Sequence, residues 1–136
     1  MITENEVIEF TCNYLQSKGY KIEQALNTRQ QGIDIIANNS EGVLKIEAKG
    51  GTSSKKGTSR YGKGFNRNQV KTHISVALFV ISKLITQEKD IGNIKYGFAL
   101  PYDDKHISIM NDIEHVIKKL GIFVFWVKEN GEVIKN

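Results

Sequence analysis

Residues 32–49 decide the fold of this chain: Gly-Ile-Asp-Ile-Ile-Ala-Asn-Asn-Ser-Glu-Gly-Val-Leu-Lys-Ile-Glu-Ala-Lys. Two short apolar runs, residues 33–37 and 43–48, flank the polar segment 38–42, which is typical of a β-hairpin. Side chains alternate between the two faces of a strand, so Lys45, Glu47 and Lys49 share one face of the second run. If the two strands pair through the turn, Asp34 converges on Glu47, with Lys49 beside them.

Two carboxylates and an ammonium group at one point have a specific chemical use. Carboxylate oxygens are hard ligands suited to Mg²⁺, which keeps several waters and a phosphate oxygen when it is bound. A lysine at the same point can orient a water and stabilise the charge that develops on a phosphate. The alternative is an ordinary hairpin with a polar outer face, and the three residues alone do not separate the two interpretations.

Asp34, followed after a twelve-residue gap by Glu47-Ala48-Lys49, resembles the Asp…Glu-x-Lys signature of the PD-(D/E)xK nuclease superfamily, which has the restriction-endonuclease-like fold. Ile33 stands where that family usually has proline. The Gly-x-Asp form is similar to the branch that includes Mrr-type restriction enzymes and archaeal Holliday-junction resolvases. The resemblance implies that Asp34 and Glu47 bind Mg²⁺ or Mn²⁺, with the backbone carbonyl of Ala48 as a further ligand, and that Lys49 orients the attacking water.

Length and composition predict one domain spanning residues 1–136. A chain of 136 residues with 40% hydrophobic residues has enough apolar material for a single core. No apolar run approaches the length of a membrane span, and the first residues lack the basic region of a secretory signal. The lone Cys12 cannot form an internal disulfide, which fits a reducing compartment. We therefore expect a cytoplasmic protein without a membrane partner.

The pattern of apolar residues predicts alternating blocks of helix and strand. A capping box at residues 3–6 begins a helix that ends near Gly19. Later helices are expected over residues 68–84 and 107–120. The first of these should be largely buried because Val76, Phe79 and Val80 widen its apolar face; the second should turn five residues inward: Ile109, Ile113, Val116, Ile117 and Leu120. Strands are expected at 20–24, 33–37, 43–48, 94–100, 122–127 and 132–135.

The fold class that follows is α/β, with a mixed central sheet flanked by helices. The order of elements is α-β-β-β-α-β, then α-β and a short terminal strand. This order resembles the core of the restriction-endonuclease-like fold over nearly the whole chain.

Positive charge is concentrated beside the motif. Residues 48–87 contain no Asp or Glu, and the stretch from Lys49 to Lys83 carries a charge of +8, whereas the rest of the chain carries −4. Residues 50–67 form a Gly/Ser/Lys-rich segment without apolar periodicity, which predicts a flexible basic loop. Such asymmetry favours a polyanionic partner. The expected nucleic-acid contacts are Lys55, Lys56, Arg60, Lys63, Arg67 and Lys71, with Tyr61 and Phe65 able to stack on an unpaired base.

Auxiliary residues are expected on two helices. Relatives in the superfamily place a glutamate on the first helix; the candidates are Glu6, which also fits the capping box, and Glu9, which is favoured by its distance from Gly19. Gln69 followed by His73 resembles the Gln-x-x-x-Tyr element of RecB-like and Mrr-like nucleases, with His in place of Tyr. His73 also has the simpler interpretation of a half-buried helix histidine.

Together these features predict a divalent-metal-dependent endonuclease that hydrolyses phosphodiester bonds, and DNA is the expected substrate. The expected catalytic residues are Asp34, Glu47, Lys49, Gln69 and Glu9, and the expected cofactor is Mg²⁺ or Mn²⁺. A homodimer is expected because small members of this fold often dimerise to cut two strands. The alternative is a nuclease-like module that binds nucleic acid or protein without cutting.

Overall fold

The structure is a computed structural model that describes residues 1–26, 32–52 and 64–136. This part of the chain folds into one six-stranded sheet with four α-helices. In chain order the elements are α1 (Glu4–Ser17), β1 (Lys21–Ala25), β2 (Ile35–Asn39), β3 (Gly42–Ala48), α2 (Arg67–Gln87), β4 (Ile94–Pro101), α3 (Asp104–Asp112), α4 (Glu114–Lys119), β5 (Phe123–Val127) and β6 (Val133–Lys135).

The strands lie side by side in chain order, and the sheet is mixed. β1, β2 and β3 form an antiparallel meander, β3, β4 and β5 run parallel, and β6 returns antiparallel to β5. Parallel neighbours need a crossover connection, which α2 supplies between β3 and β4, and α3 with α4 between β4 and β5. The α/β class, the mixed sheet and the flanking helices predicted from the sequence are confirmed.

Helices cover both faces of the sheet. Val7, Ile8 and Leu15 of α1 pack with Leu44 and Ile46 of β3 on one face. The other face carries α2, α3 and α4, whose apolar residues pack on the side chains of β4 and β5: Val70, Ile74, Ile81, Ile109 and Ile117 on Phe98, Leu100 and Trp126. Since Leu44 and Ile46 face α1, the alternation of β3 directs Lys45 and Glu47 toward the side of α2.

Two predictions about buried helix faces are wrong. Only Val70, Ile74, Ala77 and Ile81 of α2 are buried, whereas Val76 is 48% and Phe79 70% exposed. The helix lies on one face of the sheet, so a single apolar stripe is covered and no described residue shields Phe79 on the opposite side.

The predicted helix 107–120 is also divided in two. Ile113 leaves helical geometry with φ −121° and ψ 14°, so α3 ends and α4 begins around it. The new direction leaves Val116 and Leu120 outside the core, 47% and 41% exposed. α3 begins earlier than predicted because Asp103 caps it, accepting a hydrogen bond from the backbone N–H of His106 at 2.9 Å.

The base of the predicted basic loop is held to the N-terminal residues. Thr52 pairs with both Thr3 and Gly64, and the Phe65 N–H donates to the Gly51 carbonyl at 3.0 Å. Arg67 already belongs to α2, so the predicted loop is one residue too long at that end. The expectation of flexibility falls on residues 53–63, which lie outside the described residues.

Each helix within the described ranges is too short or too polar to cross a bilayer.

Candidate active site

The β2–β3 hairpin brings the two motif carboxylates together. Ile35 lies opposite Ile46, so one step further along the same register puts Asp34 opposite Glu47. Directly opposed residues of antiparallel strands have Cβ atoms about 4.5–5.5 Å apart and share a face. The strands run closer to the turn than predicted, to Asn39 and Gly42, but the predicted convergence of Asp34 on Glu47 is confirmed.

Asp34 also closes the open end of the hairpin. Its Oδ2 accepts a hydrogen bond from the backbone N–H of Ala48 at 2.8 Å, in place of a ladder bond. The next residue, Lys49, turns its N–H to the Ala99 carbonyl of β4 at 3.0 Å. Because the N–H and C=O of a strand residue point to the same side, the Ala48 carbonyl faces the Asp34 side of β3.

A third carboxylate reaches the site from the start of α1. Glu4 interacts electrostatically with Asp34, Lys49 and Glu47. Gly50, the residue after Lys49, explains this approach. A Cβ at Gly50 would lie 2.3 Å from the backbone nitrogen of Glu4, so only glycine lets the end of β3 pass so close to the first turn of the helix.

The helix glutamates favoured from the sequence lie elsewhere. Glu6 completes the capping box, with its Oε1 accepting from the Thr3 N–H at 3.0 Å. Glu9 is exposed on the outer side of α1. The structure therefore brings Glu4, and neither Glu6 nor Glu9, to the motif. A sequence signal existed in Gly50-Gly51 directly after the motif, since a glycine there permits close backbone contact.

The carboxylates of the site have raised pKa values. Burial raises the pKa of Glu4 to about 7, with a further increase from Asp34 and a decrease from Lys49. Burial likewise raises the pKa of Glu47 to about 7; Asp34 and Glu4 add to the increase, and Lys49 and the Asp34 backbone N–H oppose it. The pKa of Asp34 is also raised, chiefly by burial. The ammonium group of Lys49 thus faces three carboxylic acids and neutralises their negative charge only in part.

The donor set matches the chemistry of a small hard cation. Within residues 1–26, 32–52 and 64–136, no three His, Cys, Asp or Glu side chains converge closely enough to enclose a metal ion. Mg²⁺ does not require such an enclosure, because it is typically held by one or two carboxylates and keeps several waters. Asp34, Glu47 and the Ala48 carbonyl supply oxygen donors of that kind, and the repulsion between clustered acids adds to the effect of burial on the pKa values of Glu4 and Glu47.

Gln69 and His73 occupy different environments. The Gln69 side chain accepts from the Asn66 N–H, and the Asn66 side chain accepts from the Gln69 N–H, both at 2.9 Å, so Gln69 completes the cap of α2. His73 is half-buried and packs edge-on against Phe65, with ring centroids 4.6 Å apart. Burial lowers its pKa, and Lys49 and His106 lower it further. His73 is therefore a neutral neighbour of Lys49.

The predicted nucleic-acid contacts are only partly described. Lys55, Lys56, Arg60 and Lys63 lie outside the described residues. Arg67 extends along α3, where its guanidinium donates to Ser108 Oγ at 2.7 Å and to Asp112 Oδ2 at 3.3 Å. Lys71 is exposed on the outer face of α2. The phosphate contacts expected of both residues stay predictions.

Comparison with family models, curated proteins and solved structures found no significant match to this chain.

Proposed function

We propose that the protein is a divalent-metal-dependent nuclease with a restriction-endonuclease-like core, acting on DNA. The observation that carries the proposal is the hairpin register, which puts Asp34 opposite Glu47 and leaves Lys49 at the end of the same strand. Glu4 adds a third acid from a separate element. Groups from the β2–β3 hairpin and from α1 thus meet at the carboxyl end of β3, an interior strand of the sheet.

Each residue has a role that its surroundings support. Asp34, Glu47 and the Ala48 carbonyl would hold Mg²⁺ or Mn²⁺, which supplies Lewis-acid stabilisation of a phosphate and lowers the pKa of a coordinated water. The Lys49 ammonium donates to the attacking water and to the oxygens of the reacting phosphate. Glu4 accepts hydrogen bonds from water on the α1 side. His73, held neutral, adds no charge that would compete with the cation.

The order of elements supports the core assignment. α1, the β1–β3 meander, α2 and β4 follow one another as in the restriction-endonuclease-like core, and β3 pairs parallel with β4. Fold order alone does not establish an activity, so the proposal depends on the site. The excess of positive charge in residues 49–83 favours a nucleic-acid substrate, and a homodimer would allow both strands of a duplex to be cut.

A binding module without cleavage is the second candidate. It is favoured by Gln69, whose side chain is engaged in the cap of α2 rather than in the site. A module that only binds its partner would not need Asp34 to bind a metal ion.

Calorimetric titration with Mg²⁺ and Mn²⁺ separates the two candidates. Wild type should bind one of these ions near neutral pH, and Asp34→Asn should not. A cleavage panel of linear duplex, single strand, flap and four-way junction then tests the chemistry; Lys49→Ala should retain metal binding and lose cleavage. Absence of Asp34-dependent metal binding, together with intact DNA of every form, would sink the nuclease proposal.

A further inference from the structure

A small cleft adjoins the proposed active site on the side of α3. It measures about 170 Å³ and is bounded by Met1, Gly51, Phe65, Val70, Asp103 and His106. Small-molecule pockets usually measure roughly 300–1,000 Å³, so this cleft suits one planar ring system rather than a whole cofactor.

The cleft is contiguous with the motif through two connections. Gly51, in its wall, is two residues beyond Lys49 along the chain. Phe65, whose N–H donates to the Gly51 carbonyl, packs edge-on against His73, which interacts electrostatically with Lys49. A nucleotide next to a phosphate held at Lys49 therefore lies within reach of the cleft.

The polar wall of the cleft presents acceptors. Asp103 Oδ1 accepts from the backbone N–H of His106 at 2.9 Å and from its Nδ1 at 2.8 Å. A carboxylate only accepts, so Nδ1 carries the hydrogen. The side chain of Asp103 is 42% exposed, whereas the ring of His106 is 1% exposed and supports Asp103 from within the wall. Asp103 Oδ2 takes part in neither bond, so this oxygen can accept from an occupant of the cleft.

Charge in the cleft excludes phosphate as the occupant. Asp103 and Asp104 contribute two carboxylates, whereas Lys105 directs its Nζ to the Phe65 carbonyl at 3.0 Å. An anion would be repelled, but a neutral ring with N–H donors would meet complementary acceptors. The half-buried Phe65 supplies apolar contact for a flat face of such a ring, as stacking platforms for single strands do.

We propose that this cleft receives one unpaired nucleobase of nucleic acid bound at the Asp34–Glu47–Lys49 site, and that it favours bases with an exocyclic amino group over thymine. The proposal rests on nucleic acid being the ligand of the site, but not on cleavage. Stacking against Phe65 gives affinity for any base, and the exposed carboxylate of Asp103 gives the preference for amino groups. The phosphates remain outside, toward Lys49 and the basic segment.

Binding in EDTA tests the proposal without metal or cleavage. The probes are fluorescein-labelled DNA heptamers that are abasic except for one central guanine, adenine, cytosine or thymine, with a fully abasic heptamer as reference, and the readout is fluorescence anisotropy. Wild type should bind the amino-bearing heptamers roughly 5- to 150-fold more tightly than the abasic one, the range expected for one stacked base. Thymine should fall between them.

Two variants assign the effect to the cleft. Phe65→Leu keeps apolar packing but removes the ring, so every heptamer should bind as the abasic one does. Asp103→Asn keeps a good helix cap but replaces an acceptor by a donor, so the preference for amino groups should disappear. Phe79→Leu and Asp90→Asn change an exposed aromatic and an exposed carboxylate outside the cleft and should behave as wild type.

The outcomes are separable from those of the nuclease assay. Equal affinity of wild type for base-bearing and abasic heptamers overturns the cleft proposal, whatever the enzyme cleaves, and so does an unchanged preference in Phe65→Leu. Lys49→Ala should lose cleavage and retain the base preference. If Asp103→Asn unfolds in a thermal melt, the wild-type series and Phe65→Leu still decide the question.

Discussion

The carboxylate of Asp34 is bonded to the backbone N–H of Ala48, at 2.8 Å, just beyond the last paired residues of the β2–β3 ladder. The bond satisfies a strand N–H and fixes the acid beside Glu47 and Lys49. Asp34 therefore has two roles that mutagenesis can separate. It accepts a hydrogen bond within the hairpin, and it carries a negative charge that would bind the proposed metal.

Asp34→Asn and Asp34→Ala should separate these properties. The Asn amide oxygen still accepts from Ala48, so the metal-free free energy of unfolding should stay within about 0.5 kcal/mol of wild type, as is usual without a lost contact. Ala leaves the Ala48 N–H unpaired and should lower it by about 1–3 kcal/mol. Both should lose Mg²⁺ binding. Urea denaturation and calorimetry measure the two effects, and an Asn variant that binds Mg²⁺ like wild type would contradict the proposed role of the charge.

Glu4 is expected to serve the site, and the two other glutamates of α1 provide matched controls. Glu4→Gln should weaken Mg²⁺ binding and cleavage, because it removes an acid that interacts with Asp34, Glu47 and Lys49. Glu9→Gln, at an exposed position, should change neither. Glu6→Gln alters only the capping box, for which glutamine is also suitable, so it should fold and cleave normally. Titration and cleavage of the three variants side by side would reveal a wrong assignment if Glu9→Gln gave the larger loss.

Gly50→Ala should separate α1 from the end of β3. Its new Cβ would meet the Glu4 nitrogen at 2.3 Å and the Thr3 carbonyl carbon at 2.8 Å, both backbone atoms. Overpacking of this kind costs typically about 1–3 kcal/mol, and the displaced helix should carry Glu4 away from the site. Gly92→Ala is the control, since a Cβ there has nothing within 4 Å. Equal melting temperatures for the two variants would show that the close contact is not required.

The hairpin and the order of elements could be predicted from the sequence because they depend on short-range patterns. Alternation within residues 33–37 and 43–48 fixes which face each side chain takes, and a turn between them fixes the register. The same reasoning predicts that Asp34 and Glu47 converge if the two strands pair. The predicted strands 122–127 and 132–135 likewise leave a short turn between them, where Gly131 has φ 92°.

Features that depend on how the helices and strands pack together could not be predicted from local sequence patterns. Glu4 reaches the motif because two backbones touch at Gly50, and helical periodicity contains no information about that contact. The spacing of Phe79 in the sequence places it beside the apolar stripe of α2. The sheet covers only one side of this helix, however, so Phe79 remains exposed. The pairing of His106 with Asp103 was equally invisible, because it required knowing that α3 begins at residue 104 rather than near 107.

Stability of the metal-free protein should depend on the protonation of Glu47. Its pKa is about 7 in the folded protein against 4.5 for an ordinary glutamate, so the folded state retains a proton that the unfolded state has lost. The stabilisation is complete below about pH 4.5 and disappears as the pH rises toward 7 and above. Between pH 5 and 8, the free energy of unfolding of wild type should therefore fall relative to that of Glu47→Gln. Its slope should be at most about 1.4 kcal/mol per pH unit for one proton.

Urea denaturation at four pH values measures this difference. His73, whose pKa is lowered, acts in the opposite direction below pH 6.5, but it is common to both proteins and cancels in the comparison. Saturating Mg²⁺ should flatten the wild-type profile near neutrality, because an ion binds the deprotonated acids. A pH-independent difference would mean that Glu47 titrates normally in the folded protein.

The basic segment should act as a clamp for nucleic acid. Its base is fixed at Thr52 and Gly64, close to Thr3 and the start of α1, so we expect Lys55, Lys56, Arg60 and Lys63 to contact phosphates beside the proposed metal site. Each phosphate contact adds about 0.7 to the salt slope of binding for single strands and about 0.9 for duplex DNA. Replacing the four cations with serine should thus weaken binding, reduce the slope by about 2.8 to 3.6, and leave Mg²⁺ affinity unchanged.

A second quadruple variant controls for net charge. Four exposed lysines lie outside the basic segment, at the C-cap of α1, in β1 and in α4: Lys18, Lys21, Lys118 and Lys119. Replacing them with serine removes the same charge from the protein but should change the salt slope little, since screening confines such charges to short range. DNA binding is measured by anisotropy from low to moderate salt for wild type and both variants. If the two quadruple variants gave the same affinity and slope, net charge alone would account for binding, and residues 50–67 would be only a connection between β3 and α2.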